Sequence, residues 1–458
     1  MKKILYLLTI LFLGVSAFAA EKSEAVIVCD NGLEMFAWDL DFVANANQSI
    51  EITSPFFGGK IARDLLAALD QRIQERPDLQ VHLLFGPMFL EDRDTKMIKD
   101  LEEKFPENFH ALAASEVAVS SPDLTSIGNH VKVFIVDEHY YAVGGTNLDE
   151  GLCTDGTYTP PRKPKSKIGP LICPAGGRDG DVVARGALAK PLREMFFKLY
   201  AIFEDYEKTK RLIADPDHFA GKTRYFLLDE AIEKPFAPLF ESSDRVIVAD
   251  KVEMYFSGSM DVPHNKVTNA YAKLLQEAKK SVIIGNLYFN PPKQIYKALM
   301  GCVNRGIEMR VITNGVHEGI TPEYNDKFCW ANRMSYVPLF YGREYHMWEA
   351  FKAGSAKQKK TQIYEYIVPD VVYHKKAMVV DDDLFVVGSY NFGTKSDSSD
   401  YELILVIESK EIAAEALRVF QVDVDHSVEI RSTEARSWYF NPWYSYLGYT
   451  QRLFHTVL

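Results

Sequence analysis

Several marks of metal-dependent or redox catalysis are missing from this 458-residue chain. Its five cysteines, Cys29, Cys153, Cys173, Cys302 and Cys329, form no CxxC pair, which argues against a zinc ribbon or a thioredoxin-type centre. There is no HExxH and no carboxylate arrangement with metal-site spacing in the sequence, so no metal or other cofactor is expected. Beyond the N-terminal stretch no apolar run reaches the ~18 residues that a membrane helix needs. Cations are also in deficit, with 52 Lys and Arg against 63 Asp and Glu and a net charge of −11. That balance does not suit a protein that wraps nucleic acid by bulk electrostatics, although a local basic channel is compatible with it.

What is present begins with a leader. Met1-Lys2-Lys3 is basic, Ile4 to Val15 is apolar, and Ala17-Phe18-Ala19 supplies small residues at a cleavage site. This is the pattern of a secretory signal peptide of bacterial type, cut after Ala19. The mature protein is therefore expected to be exported, periplasmic or secreted, and soluble or peripheral to a membrane. Its apolar fraction of 47% and charged fraction of 25% are those of a globular protein. In an oxidising compartment Cys153 and Cys173, which bracket one loop, are the candidate disulfide. Cys302, within a helical apolar pattern, reads as a buried thiol.

The length allows two domains, and the sequence repeats itself. Ser49 to Phe57 (SIEITSPFF) and Ser281 to Phe289 (SVIIGNLYF) read as strands. Each follows a helical segment, Met35 to Ala46 or Asn269 to Lys280, and each precedes another, Ile61 to Ile73 or Ile295 to Val303. Strands at Leu79–Phe85 and Glu308–Thr313 come next. Later, Asp181–Arg185 and Glu402–Glu408 read as strands, each leading into a helix. A repeat this long indicates duplicated domains rather than a solenoid. The expected division is a leader at 1–19, a first domain at 20–214, a connector at 215–252, a second domain at 253–430 and an aromatic tail at 431–458. Alternating strands and helices call for an α/β fold, with helices covering a parallel or mixed sheet.

The duplicated halves carry one constellation twice. His130, Lys132 and Asp137 lie in HVKVFIVD, and His374, Lys376 and Asp381 lie in HKKAMVVD, offset by 374 − 130 = 244. Each copy runs into a small-residue turn with an asparagine, Gly144-Gly145-Thr146-Asn147 or Gly388-Ser389-Tyr390-Asn391. A single match would be weak; two copies followed by the same turn are a strong signal. Along a strand, residues two apart share a face, so each His projects beside its Lys. The Asp, at the strand end, can orient neighbours or cap the turn.

If the halves pack about a pseudo-two-fold axis, two histidines and two lysines converge. Such a site suits a phosphodiester. The lysines and the asparagine amides can hold the phosphoryl oxygens. One neutral imidazole can attack phosphorus, and the other, protonated, can serve the leaving oxygen.

These motifs resemble those of the phospholipase D superfamily, whose mark is HxKxxxxD followed by GSxN, twice per active unit. The resemblance runs from about Ser49 to Phe420. It implies two phospholipase D-like α/β sandwich halves with the active site between them, and a metal-independent phosphohistidine mechanism. Carried over position by position, His130, Lys132, Asp137, His374, Lys376 and Asp381 are the catalytic set, with His130 as nucleophile and His374 as general acid. Asn147, Asn391, Ser389, Ser396 and Glu402 are the substrate-binding set. The first copy departs from the pattern. Gly145 replaces the serine, and an insertion from Cys153 to Asp179 separates Asn147 from the next strand.

Within that family this chain reads first as an exported phospholipase D hydrolysing a phospholipid headgroup ester. A phosphatidyltransferase resembling cardiolipin synthase is the alternative, because water and an alcohol compete for the same intermediate. An exported nuclease would need a basic groove, for which the loops at Thr159–Lys165 and Ala350–Thr361 are the only hint; nucleic acid is not the expected partner. The tail from Trp438 to Phe454 is dense in aromatics, suited either to packing on the body or to contact with a lipid headgroup layer.

Overall fold

Strands of β-branched and apolar residues alternate with amphipathic helices in both halves of the chain, and the alternation builds two eight-stranded mixed sheets. The computed structural model describes residues 24–114, 117–121, 124–156, 176–258, 265–315, 329–342, 359–369 and 371–454. The leader at 1–19, Cys173 and the basic loop at 159–165 lie outside the described residues, as does most of the loop at 350–361.

Across the first sheet the strands run Ile247–Val248, Ala25–Val28, Asp181–Arg185, Tyr140–Gly144, Val133–Val136, Ser49–Ser54, Gln80–Phe85 and Phe109–Ala113. The second runs Lys251–Ser257, Glu402–Glu408, Leu384–Gly388, Lys376–Val380, Ser281–Asn286, Glu308–Asn314, Thr361–Tyr366 and Ser427–Glu429. Corresponding pairs share direction. Ser49–Ser54 lies parallel to Gln80–Phe85, as Ser281–Asn286 does to Glu308–Asn314. Both are antiparallel to the strand that follows their histidine. The connector is not separate from the first half, because its Ile247–Val248 pairs with Ala25–Val26 at the sheet edge.

Each sheet buries both faces. Helices Gly32–Asn45 and Gly59–Glu75 cover the outer face of the first sheet through Phe42, Leu65 and Leu66 against Ile52, Phe134 and Val136. Helices Lys266–Glu277 and Lys293–Arg305 do the same for the second. Between the sheets lie Ala189–Thr209 and Lys410–Asp425, in a core that joins Ile135, Tyr141 and Phe196 of one half to Val379, Leu403 and Phe420 of the other. Side-chain caps at Asn31, Asn265 and Ser409 start three of these helices.

The two motif aspartates have a task in this framework. Asp137 and Asp381 sit in left-handed turns, at φ 53 and 55. Asp137 accepts from the amides of Asn47, Gln48 and Ser49 at 2.6–2.8 Å. Asp381 accepts from Lys279, Lys280 and Ser281. Each carboxylate therefore pins the start of the neighbouring strand, at the end of its own strand away from the histidine. Asp137→Ala leaves three partly buried amides without their acceptor. It is expected to cost about 1–3 kcal/mol of stability, read by chemical denaturation, with the folded fraction retaining the wild-type pH profile.

The aromatic tail divides between packing and exposure. It forms helices Ser432–Phe440 and Pro442–Phe454. Trp438 lies 3.9 Å from the Arg333 guanidinium, and Tyr444 stacks on Trp330 at 4.3 Å. Trp443, Tyr446 and Tyr449 remain more than half exposed. No described helix is long and apolar enough to cross a membrane.

Candidate active site

His130 and His374 stand just before the strands Val133–Val136 and Lys376–Val380. Strand alternation puts each histidine and its lysine on one face, while Val131 and Lys375 turn to the other. The catalytic ends of the halves meet through backbone. His130 N donates to Tyr401 O at 3.1 Å, and His374 N donates to Arg178 O at 2.8 Å. Gly176–Arg178 of the first half pairs in parallel with Val371–Tyr373 of the second.

The carboxylates cross over between the halves. His130 Nδ1 lies 3.0 and 3.1 Å from the two oxygens of Glu402. His374 Nδ1 lies 2.7 Å from Asp179 Oδ2. Each imidazole thus takes its orienting carboxylate from the opposite half. In the tautomer in which Nδ1–H donates to the carboxylate, Nε2 is presented for chemistry; Lys376 Nζ also lies 2.9 Å from His374 Nδ1. Lys132 Nζ donates to His130 O at 2.8 Å, and Lys376 Nζ donates to His374 O.

The resemblance had assigned Ser389, Ser396 and Glu402 to the substrate; in the structure they form one hydrogen-bonded group with His130. Both serine hydroxyls donate to the Glu402 carboxylate, and Ser389 Oγ also accepts from Leu403 N at 3.0 Å. A carboxylate so held fixes an imidazole and has no oxygen to spare for a phosphodiester. Asp137 and Asp381, counted with the catalytic set, hold strand starts and make no contact with either imidazole among the described residues. The asparagines differ from these. Asn147 accepts from Phe56 N at 3.2 Å, but its Nδ2, although buried, has no partner among the described residues. That amide is a donor available to an anion. Asn391 N donates to Ser396 Oγ at 3.2 Å.

Asp179 is the residue that spacing did not reveal. Gly144 faces Asp181 across the first sheet and Gly388 faces Ile404 across the second, so Asp179 and Glu402 each lie two residues ahead of the matched position. Gly145 is explained by the same contact. A Cβ there would come within 2.0 Å of Asp179 Oδ1, so the serine of the second motif has no room in the first. Asp181 then holds the turn by accepting from Thr146 N at 3.0 Å and Thr146 Oγ1 at 2.6 Å.

Burial sets the protonation states, and neighbours adjust them. Burial holds the His130 imidazole well below its usual range, and Lys132, Lys376, His374 and Lys395 push the same way. Burial takes His374 down to about 4, against the raising effect of Asp179. Burial would raise Asp179, but its contact with His374 and the charge of Lys376 outweigh it and leave its carboxyl below the ordinary range. Glu402 is pushed up to about 7 by burial. Lys132 falls to about 7 through burial and Lys376, and Lys376 to about 8 through burial. Without substrate the site thus keeps both imidazoles neutral, and its two ammonium groups are poised to be stabilised by an incoming anion. His130, Asp400 and Glu402 hold ligand atoms within 4.8 Å of one another, but Glu402 is already engaged by His130 and the two serines.

The buried Cys153 thiol donates to Gly32 O at 3.2 Å; Cys173, its expected disulfide partner, lies outside the described residues. The thiol of Cys302 is buried, as its helical pattern suggested.

Comparison with known proteins gives consistent results. A family model described as cardiolipin synthase, PLD-like domain, matches residues 271–424. Cardiolipin synthase 1 of Bacillus anthracis is 25% identical over 304 residues, which is 66% of this chain and 48% of that protein. The probable cardiolipin synthase YwiE of Bacillus subtilis is 27% identical over 165 residues, 36% of this chain and 27% of that protein. The chain spans about half the length, or less, of these curated relatives. Among solved structures, a phosphatidylserine synthase of Haemophilus influenzae Rd KW20 superposes with a TM-score of 0.63 at 13% identity, covering 95% of this chain and 98% of that one. That likeness establishes the shared fold.

Proposed function

Because this chain belongs to the phospholipase D superfamily, we propose that it transfers a phosphatidyl group from a phospholipid to an alcohol through a phosphohistidine. The observation that carries the reading is the crossed pair of imidazole–carboxylate contacts beside two lysines. In the first step the His130 Nε2 lone pair attacks phosphorus. The P–O bond to the headgroup alcohol breaks, and the leaving oxygen takes the proton of His374 Nε2. An incoming phosphodiester anion favours that proton by its charge, and Asp179 holds the resulting imidazolium. In the second step an acceptor alcohol attacks phosphorus as its proton passes to His374. The P–N bond breaks and His130 is restored. Lys132, Lys376 and the Asn147 amide face the charge that builds on the phosphoryl oxygens.

The leader, the acidic charge and the aromatic tail had favoured an exported hydrolase, in which water replaces the alcohol. The likeness to cardiolipin synthases supports transfer instead. The exposed rings of Trp443, Tyr446 and Tyr449 support contact with a lipid surface, and the leader at 1–19 supports export.

The test is incubation of the chain with phosphatidylglycerol vesicles in EDTA. Cardiolipin and free glycerol are the expected products. Phosphatidic acid alone would convert the reading to hydrolysis. Cleavage of DNA without lipid turnover, or activity only with a divalent metal restored, would overturn it.

A further inference from the structure

We propose that Asp423 is a positioning residue for the His374–Asp179 pair, acting through Arg178 and Lys375. The consequence drawn for catalysis rests on the phosphohistidine reading above.

His374 and Asp179 lie at the ends of two short strands, Val371–Tyr373 and Gly176–Arg178, that run side by side in parallel. Side chains alternate along both. His374 and Asp179 point toward the reaction centre. Their neighbours Tyr373, Lys375 and Arg178 point the other way, toward helix Lys410–Asp425.

There a single buried carboxylate collects them. Asp423 accepts from Arg178 Nε at 2.6 Å, from Lys375 Nζ at 2.5 Å and from Tyr373 Oη at 3.0 Å. Arg178 Nη1 also donates to Asp30 O at 2.6 Å, which anchors the assembly in the first half. Asp423 is fully buried and Lys375 nearly so. Sliding either strand would strand a buried cation away from its only described carboxylate, and such a pair is costly to break. The register of the strands, and with it the 2.7 Å contact between His374 and Asp179, is therefore set from behind.

His130 lacks this arrangement. The position matching Lys375 is 375 − 244 = 131, a valine in the apolar core. The clamp thus serves one histidine only. That is the histidine assigned to give a proton in one step and take one in the next, where angle and distance matter in both directions.

The experiment compares Asp423→Asn and Lys375→Met with the wild-type chain on two phosphodiesters, one with an alkyl leaving alcohol and one with p-nitrophenol. The alkyl alkoxide needs the His374 proton, whereas p-nitrophenolate leaves without it. Phosphohistidine formation from the alkyl ester is expected to fall on the order of 10²-fold, while the burst of p-nitrophenolate stays within about twofold. Equal losses on both esters in folded variants would mean a purely structural role and overturn the proposal, as would no loss on either. Lys375→Met retains the Arg178–Asp423 bond and supplies the folded comparison if Asp423→Asn loses the native circular-dichroism spectrum. A wild-type chain that gives no burst with either ester would remove the phosphohistidine reading itself, and this proposal with it.

Discussion

His130→Ala is expected to abolish turnover on every phosphodiester, with a loss on the order of 10⁴-fold or more in kcat. The reason is the absence of any substitute. Burial and the neighbouring Lys132, Lys376 and Lys395 keep this imidazole neutral, and Glu402 turns its free nitrogen outward. Among the described residues the other neutral imidazole at the site is His374, which the proposed mechanism assigns to proton transfer. The measurement is acid-quench trapping of labelled phosphoenzyme. Wild type should label and His130→Ala should not, with either leaving group. His374→Ala should behave differently. With p-nitrophenol as leaving group it should still form the phosphoenzyme and then fail to discharge it, because the acceptor has lost its base. Labelling that survives in His130→Ala and vanishes in His374→Ala would reverse the two assignments.

The second large effect falls on the lysines. Lys132→Met or Lys376→Met removes one of the two ammonium groups facing the phosphoryl oxygens, and each is expected to lower kcat by about 10²–10³-fold. Their titration gives a pH signature. Both lysines have depressed pKa values in the empty site, about 7 and about 8. A lysine is charged below its pKa, so the productive form is present at lower pH and lost as pH rises through 7 to 8. Since kcat/KM reports the free enzyme, with a p-nitrophenyl ester, which needs no proton from His374, it should fall on the alkaline side beginning near neutrality, whereas kcat, read with the anion bound, should hold to higher pH. The acid side should be tolerant of the nucleophile, because the depressed His130 pKa keeps that imidazole unprotonated well below its ordinary range. A kcat/KM profile flat to pH 10 would contradict the assignment of these lysines to the charge of the phosphate.

The duplicated architecture was legible because its signal is periodic. β-branched runs ending at prolines marked Ser49–Ser54 and Ser281–Asn286, and the repeated His-x-Lys marked the two catalytic strand ends. The helix Asp92–Lys104 and the strand Phe109–Ala113 were not foreseen, since the helix buries only Asp94, Ile98 and Leu101 and shows a thin apolar stripe. Asp179 was hidden by chain length. Glu402 follows Asn391 by 402 − 391 = 11 residues, whereas Asp179 follows Asn147 by 179 − 147 = 32, and spatial equivalence survives an insertion that spacing does not. Gly145 looked like a defect in the motif for the same reason. Its missing side chain answers to Asp179, 34 residues away (179 − 145), a contact that only folding creates. The motif aspartates misled in the opposite sense: constant spacing from a histidine is also what a turn-closing carboxylate requires.

The exchange of carboxylates between halves makes catalytic competence a report on assembly. Neither imidazole has its orienting anion until the opposite half has folded and docked, because Glu402 serves His130 and Asp179 serves His374. A half that folds alone presents a histidine free to rotate, beside a lysine with no counter-charge across from it. Under the proposed mechanism, an oriented nucleophile and a finished interface therefore come into being together.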